Sequence, residues 1–425
     1  MTSQLITLGA IRDALKKCTS PHAEPFMSLL KNGKNSPLKC AKSVKDRFGP
    51  TDDDFPRVGK RQSPFGTKKL PSAEGLRDIL LNELEAEEGG PVYFPPPWSE
   101  DEGIDMSAED AAAVLINNIT DPDYQADGLI PNLPCPTIDD LCHDGKEQGT
   151  NVLYETYTTC SVLSSNTLLP LQHHNETTSF STLLTGSIVW MIWPPTEHNL
   201  STLQQAYEAF AQGFDPAKLD VAPDLVGGVA FVQSVGEGMR IPSFCPMLGL
   251  ATKTSVLSTY SIFTADVFVP MLRRIPLLKA WWQTEVNGEA KRLDFGAGIS
   301  DCLARILSGS FDKFNALKDR HVPENGPLHT SLLAWDEVKD DLVGIMDDET
   351  AKATRKTWTE FLIAVIGRNC AICGKSTQSK KREMGKHFDG AHWPKQQNAA
   401  KRVDSMELDQ VDEDGDNAMV IVETE

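Results

Sequence analysis

The stretch 170–196, PLQHHNETTSFSTLLTGSIVWMIWPPT, constrains this chain more than any other. It sets His173, His174, Asn175 and Glu176, side chains of the kind that can hold a metal, ahead of an apolar run, Val189-Trp190-Met191-Ile192-Trp193, that ends on Pro194-Pro195. A short apolar run closed by prolines reads as a buried strand, since proline has no amide proton for a sheet ladder. Residues 153–163 mix Tyr, Thr and Val as strands do. From there to about Phe263 short strand-like segments alternate with polar turns, interrupted by a helix over 199–218. That succession predicts a small antiparallel barrel or sandwich.

The flanks read differently. Residues 31–69 hold eleven Lys and Arg against four Asp, so the first 70 residues are expected to form a flexible basic arm. Within it Gly59-Lys60-Arg61 and Lys68-Lys69 suit a nuclear import signal, a weak nucleic-acid contact or a solvated linker. Residues 72–88 predict an amphipathic helix, with Ser72 as cap and Leu76, Ile79, Leu80 and Leu84 at three- and four-residue spacing. A second is predicted over 105–119, capped by Ser107 with Glu109 in its first turn. The block 129–136, with three prolines, reads as irregular. After Ala265 the segments 266–284, 299–317, 328–346 and 348–367 carry helical apolar spacing, which predicts a C-terminal helical lobe. The tail 396–425 is acidic and expected to be disordered.

Charge and cysteine usage narrow the function classes. A formal charge of −19 over 425 residues argues against a protein that coats nucleic acid with its whole surface, though local basic patches remain open. Nine cysteines, mostly scattered singly, with no apolar leader in the first 20 residues, fit a reducing compartment. No apolar run approaches the ~18–20 residues a membrane helix needs. A nuclear or else cytoplasmic protein without a membrane role is expected.

Several motifs in order resemble the Jumonji C (JmjC) domain of histone-demethylase-like 2-oxoglutarate oxygenases. His174-x-Glu176 resembles that family's HxD/E pair of Fe(II) ligands, and Gly186 with the strand to Pro194-Pro195 resembles the turn and strand that follow. Glu197-His198-Asn199-Leu200 with Leu203, Tyr207 and Phe210 is similar to the family's next helix. Gly236 to Ser243 resembles its G-x-x-x-x-I-P-S strand, Ser255 to Ile262 a later barrel strand, and Val267 to Met271 the helix packed after the barrel. The resemblance spans roughly 150–275. It implies a JmjC/cupin-like double-stranded β-helix (jelly-roll) barrel braced by helices that follow it; with the readings of the flanks, the expected fold is α+β, with N-terminal helices and a C-terminal helical lobe ending in a small zinc-finger-like segment. Together these readings divide the chain into 1–70 (basic arm), 71–150 (helical and irregular), 151–275 (barrel), 276–368 (helical lobe), 369–395 (zinc segment) and 396–425 (tail).

The chemistry is less well kept than the fold. A non-haem Fe(II) oxygenase needs two His and one carboxylate on one face of the metal, and a cation to anchor the distal carboxylate of 2-oxoglutarate. His174 and Glu176 supply the right donors, but only eleven residues separate His174 from Gly186, fewer than the family normally has. His173 as first ligand restores the spacing and puts Asn175, a neutral and poorer ligand, in the carboxylate position. Aligning Ile241-Pro242-Ser243 with the family motif puts Met247 where the third ligand belongs, with Phe244 and Cys245 in place of Gly and Trp; a thioether does not suit Fe(II). The family's anchoring Lys falls on Ile188, and Lys253 is the substitute cation the sequence offers. A barrel with weak or no oxygenase activity is expected.

Cys370-x-x-Cys373 is followed after thirteen residues by His387 and after four more by His392. Zinc takes four N or S ligands in a tetrahedron, and a CxxC turn offers two sulfurs to one ion. A structural zinc site is therefore expected, with Phe388 and Trp393 as its apolar packing. Lys375, Lys380, Lys381, Arg382 and Lys386 would give the segment 375–386 a local positive face suited to phosphate or to a protein partner. Three functions follow: a JmjC-like chromatin or regulatory scaffold that binds proteins, histones among them; an active Fe(II)/2-oxoglutarate dioxygenase acting on protein lysines; or a zinc-knuckle adaptor for nucleic acid or protein.

Overall fold

The computed structural model describes residues 8–18, 22–31, 39–40, 57–59, 65, 68–87, 107–121, 128–146, 151–285, 287–308, 322, 326–365, 369–376 and 381–395. The fold is α+β, built on one large and mainly antiparallel sheet. Its strands are β1 (Lys39–Cys40), β2 (Arg57–Gly59), β3 (Leu129–Pro134), β4 (Val152–Glu155), β5 (Thr159–Leu163), β6 (Leu168–His173), β7 (Thr178–Ile192), β8 (Val229–Ser234), β9 (Gly238–Ile241) and β10 (Pro246–Thr264).

Two long strands form the spine. β10 pairs along one edge with β7, and along the other with β6, β5 and β4 in turn. The far edge of β7 carries β9 beside its first half and β8 beside its second. The register shifts where Gly186 and Ser187 of β7 pass Lys253 to Val256 of β10. Gly186 sits at φ +85°, and a Cβ there would collide with Ser255 and the Thr254 carbonyl, so only glycine makes this bend. The sheet thereby divides into two halves, and their inner faces meet in one cluster. Leu163, Leu183, Met239 and Ile241 from one half pack with Ile188, Trp190, Ile192, Phe231, Cys245, Met247 and Ala251 from the other. A sheet bent over a shared apolar interior is compatible with a barrel.

The alternation along β7 decides what each face meets. Ile188, Trp190 and Ile192 face the interior, whereas Val189, Met191 and Trp193 join the core that the helices cover. The helices of the described residues are α1 (Leu8–Lys17), α2 (Ala23–Lys31), α3 (Ala73–Ala86), α4 (Ala108–Asn117), α5 (Pro136–Cys142), α6 (Glu197–Ala211), α7 (Ala265–Leu272), α8 (Ile275–Trp282), α9 (Gly288–Leu307), α10 (Pro327–Gly344), α11 (Asp348–Ala364) and α12 (Lys381–Ala391), of which α3, α4 and α5 instead cover a separate cluster on β3 and β5. The caps foreseen at Ser72 and Ser107 are made, by Gly75 and Asp110 amides donating at 3.1 and 3.0 Å, each worth about 1 kcal/mol. Among the described residues no helix is long and apolar enough to cross a membrane.

Several boundaries differ from those the sequence suggests. The first 70 residues are not simply an arm: Ile11, Ala14 and Leu15 of α1 and Phe26 and Leu29 of α2 are buried in the main core, and β1 and β2 join the sheet beside β8 and β9. Lys60 and Arg61 lie outside the described residues, while Lys68 and Lys69 are exposed. The proline-rich block 129–136 is strand β3 leading into α5. It is tolerated because β3 is an edge strand, and its register shifts between Ile130 and Leu133, across Pro131 and Asn132, where missing amides cost no ladder bond. The segment 153–163 is two strands, and the helix foreseen over 199–218 is α6 followed by a separate 3₁₀ turn, Pro216–Leu219. The acidic tail, 396–425, lies outside the described residues.

Candidate metal centre

Two places were marked for metal by their residues, and the structure treats them differently. In the first, the chain does bring the segments together: the His174 amide donates to the Cys245 carbonyl at 2.8 Å, and the Phe244 amide to the Asn175 carbonyl at 3.1 Å. The side chains do not follow. His173 turns into the helical core, where Nδ1 and the backbone amide both meet the Tyr207 hydroxyl at 3.0 Å and the ring packs on Phe244 and Trp281. Burial, with a further contribution from His174, pushes His173 down to about 3. It is engaged as a packing residue and forms no metal-sized group among the described residues, and Asn175 is instead occupied by the Thr177 and Ser179 hydroxyls.

His174 and Glu176 fare better as donors. His174 is half-buried as a residue, but its Nε2 is sealed from solvent without a hydrogen-bond partner, and burial pushes its pKa down to about 4. Burial likewise raises the Glu176 carboxyl above its ordinary range. What fails is the rest of the set. Met247 and Cys245 are buried in the interior cluster, and among the described residues no third His, Cys, Asp or Glu forms a metal-sized group with His174 and Glu176. The co-substrate seat fails as well. Ile188, fully buried, stands in the interior where the sequence alignment places the family's lysine, and the Trp190 ring fills the space beside it, its Nε1 donating to Gln233 Oε1 at 2.8 Å. Lys253 is exposed. The residues present therefore do not fit Fe(II) with 2-oxoglutarate.

The second place converges. The ligand atoms of Cys370, Cys373, His387 and His392 all lie within 4.8 Å of one another. Cys370 Sγ is 3.5 Å from His392 Nε2, and Cys373 Sγ is 3.2 Å from His387 Nε2. A tetrahedral zinc with its usual Zn–S and Zn–N bonds sets sulfur and nitrogen about 3.6 Å apart, so these spacings are those of two edges of such a site.

Local structure explains the convergence. Residues 370–374 fold back on themselves, with the Gly374 amide donating to the Cys370 carbonyl at 2.9 Å and the Cys370 amide to the Lys375 carbonyl at 2.8 Å. Gly374 takes φ +71° to complete the turn. Amides of Ile372 and Cys373 point at Cys370 Sγ, the arrangement that stabilises a thiolate. Without a metal, burial holds the Cys370 thiol above its ordinary range, and burial with the neighbouring His392 and Lys375 holds His387 below it. A neutral imidazole is ready to ligate, whereas the thiol must give up its proton to the metal.

The centre is built into the helical lobe. Phe388 is fully buried and Trp393 partly so, as foreseen; their rings lie 5.9 Å apart, with Phe388 6.1 Å from Trp358 of α11 and Trp393 6.3 Å from Trp335 of α10. Asp336, also on α10, accepts from His392 Nδ1 at 2.8 Å and from Lys339 at 2.8 Å. Burial works against its ionisation, but these two bonds outweigh it and hold the carboxyl below its ordinary range. Asp336 escaped the sequence reading because 56 residues part it from His392 and nothing local marks it. Of the basic residues foreseen on this segment, Lys375, Arg382 and Lys386 are exposed, Lys386 beside Glu383 at 3.5 Å. Lys380 lies outside the described residues. No protein-family model matches the chain, and no curated protein matches it.

Proposed function

We propose that this chain is a JmjC-like protein whose barrel is a non-catalytic scaffold and whose C-terminal zinc-finger-like segment, 369–395, holds a structural zinc ion. The observation that carries this reading is the filled interior: Ile188, Trp190 and Met247 take up the room that 2-oxoglutarate and a third ligand would need. A barrel kept without its chemistry serves to hold surfaces. Proteins of the chromatin class, histones among them, are the partners the JmjC resemblance suggests, with nuclear localisation.

At the zinc segment, the residues fit the ion: two thiols and two imidazoles, at tetrahedral spacing, around one point. Bound there, zinc supplies no reaction; it cross-links a short segment that has little core of its own. The test is metal analysis and turnover on the full chain. One zinc per chain, lost on Cys370→Ser with Cys373→Ser, and no succinate formed from 2-oxoglutarate with Fe(II), are expected. Stoichiometric iron uptake that depends on His174 and Glu176, with succinate release, would overturn the scaffold reading.

A further inference from the structure

We propose that Asp336 is a positioning residue for the zinc centre, and that the ion thereby fastens segment 369–395 to helix α10 instead of closing a freestanding finger. The inference rests on the zinc reading of Cys370, Cys373, His387 and His392 and adds a residue outside that segment. Its ground is the two-sided engagement of one imidazole. His392 is 3% exposed, its Nδ1 lies 2.8 Å from Asp336 Oδ1, and its Nε2 faces Cys370 Sγ at 3.5 Å.

A carboxylate accepts only, so the bond to Asp336 fixes the proton on Nδ1 and turns the Nε2 lone pair toward the sulfurs. The same bond makes the imidazole a stronger donor to a metal. His387 differs: its Nε2 faces Cys373, and the centre gives it no comparable carboxylate partner among the described contacts. Asp336 is itself braced by Lys339, from the next turn of the same helix, through Nζ at 2.8 Å. Trp335, its neighbour, stacks 6.3 Å from Trp393, the residue after His392. Polar and aromatic contacts from adjacent positions of α10 thus converge on the same end of the zinc segment, so α10 determines where His392 stands.

The experiment uses the full chain, with zinc affinity read by chelator competition and geometry by the visible spectrum of the cobalt(II)-substituted protein. Asp336→Ala is expected to weaken zinc binding about 10–100-fold while one ion per chain is still taken up and the cobalt spectrum remains tetrahedral but shifted. Asp336→Glu should restore part of the affinity, and His392→Ala should change the ligand set and with it the spectrum. If Asp336→Ala fails to fold, Asp336→Asn, which keeps the shape and removes the charge, carries the test with an expected loss of several-fold. Equal zinc affinity and an unshifted cobalt spectrum in these variants, with only a lowered melting temperature, would mean that Asp336 merely packs, and the inference fails. A wild-type chain that takes up no zinc fails the underlying reading instead.

Discussion

The contact between Gly249 and Trp190 offers the sharpest check on whether the interior is filled. The two residues are cross-strand partners on β10 and β7, and a Cβ on residue 249 would lie 2.7 Å from Cζ3 and 2.9 Å from Cε3 of the indole. The ring has little freedom to retreat, because Nε1 is bonded to Gln233 Oε1 at 2.8 Å and Gln233 Nε2 to the Glu237 carbonyl at 2.9 Å. Gly249→Ala is therefore expected to cost about 1–3 kcal/mol by overpacking. Trp190→Ala removes a side chain that is 2% exposed, at about 3–5 kcal/mol, and leaving Gln233 Oε1 without its donor adds about 1–3 kcal/mol. In the double variant the new methyl enters space the indole has left. The pair should thus cost less than the sum, by about 1–3 kcal/mol, within the range found for residues in contact. Urea unfolding followed by far-UV circular dichroism measures all three variants. If Gly249→Ala is as stable as wild type, or costs the same in both backgrounds, the ring is not seated on Gly249 and the case for a filled interior is lost. Neither alanine variant should form succinate.

His173 predicts a pH dependence whose sign can be worked out. Its folded pKa of about 3 lies below the ordinary 6.5, so the unfolded chain takes the proton first. The stability is therefore complete above about pH 6.5 and falls as the pH drops toward 3, with about 2 kcal/mol gone by pH 5 from this residue. His174 acts in the same direction, while Glu176, raised when folded, opposes them. His173→Gln should flatten the decline between pH 7 and 5 in urea melts, and a wild-type stability unchanged over that interval would contradict the burial argument. Asp139 holds Lys146 Nζ at 2.5 Å and the Thr158 amide at 2.8 Å, and Lys146 is only 7% exposed. Asp139→Ala leaves that ammonium with Glu155 at 3.4 Å and should cost about 3 kcal/mol; a loss under about 1 kcal/mol would mean that Glu155 or water replaces the partner.

What could be read from the residues depended on how local the physics was. Ser72 and Ser107 announced their helices because a cap acts within three residues, and the Cys370-x-x-Cys373 turn announced a candidate metal site for the same reason. The strand from Ser187 to Ile192 was legible from its apolar run and Pro-Pro ending, but not which of its residues fill the interior, since both faces are buried and alternation leaves no polar trace. His173 and His174 are adjacent and chemically identical. Only Tyr207, 34 residues away, decides that the first is a packing residue. Asp336 was out of reach for the same reason. The first 31 residues were misjudged because the basic composition of 31–69 was extended over a segment whose Ile11, Leu15, Phe26 and Leu29 already had helical spacing.

The outer face of the sheet argues against separable domains. Val189, Met191, Trp193, Leu248 and Leu250 belong to the same cluster as Leu15 and Phe26 of the N-terminal helices, Trp335 and Trp358 of the lobe, and Cys370, Ile372 and Phe388 of the metal segment. Cuts at 275 or 369 would pass through this one core. Exposing those five sheet residues forfeits about 1.5–3 kcal/mol each, on the order of 10 kcal/mol together, which equals the whole stability of an ordinary domain. A fragment of residues 151–275 is accordingly expected to aggregate or to melt without cooperativity, although it contains nearly every motif that resembles a JmjC barrel. Size-exclusion chromatography and a thermal melt test this, and a monomeric fragment with a sharp transition would refute it. Because the metal segment shares that core, loss of its ligands should also loosen amides on β7 and β10 in hydrogen exchange.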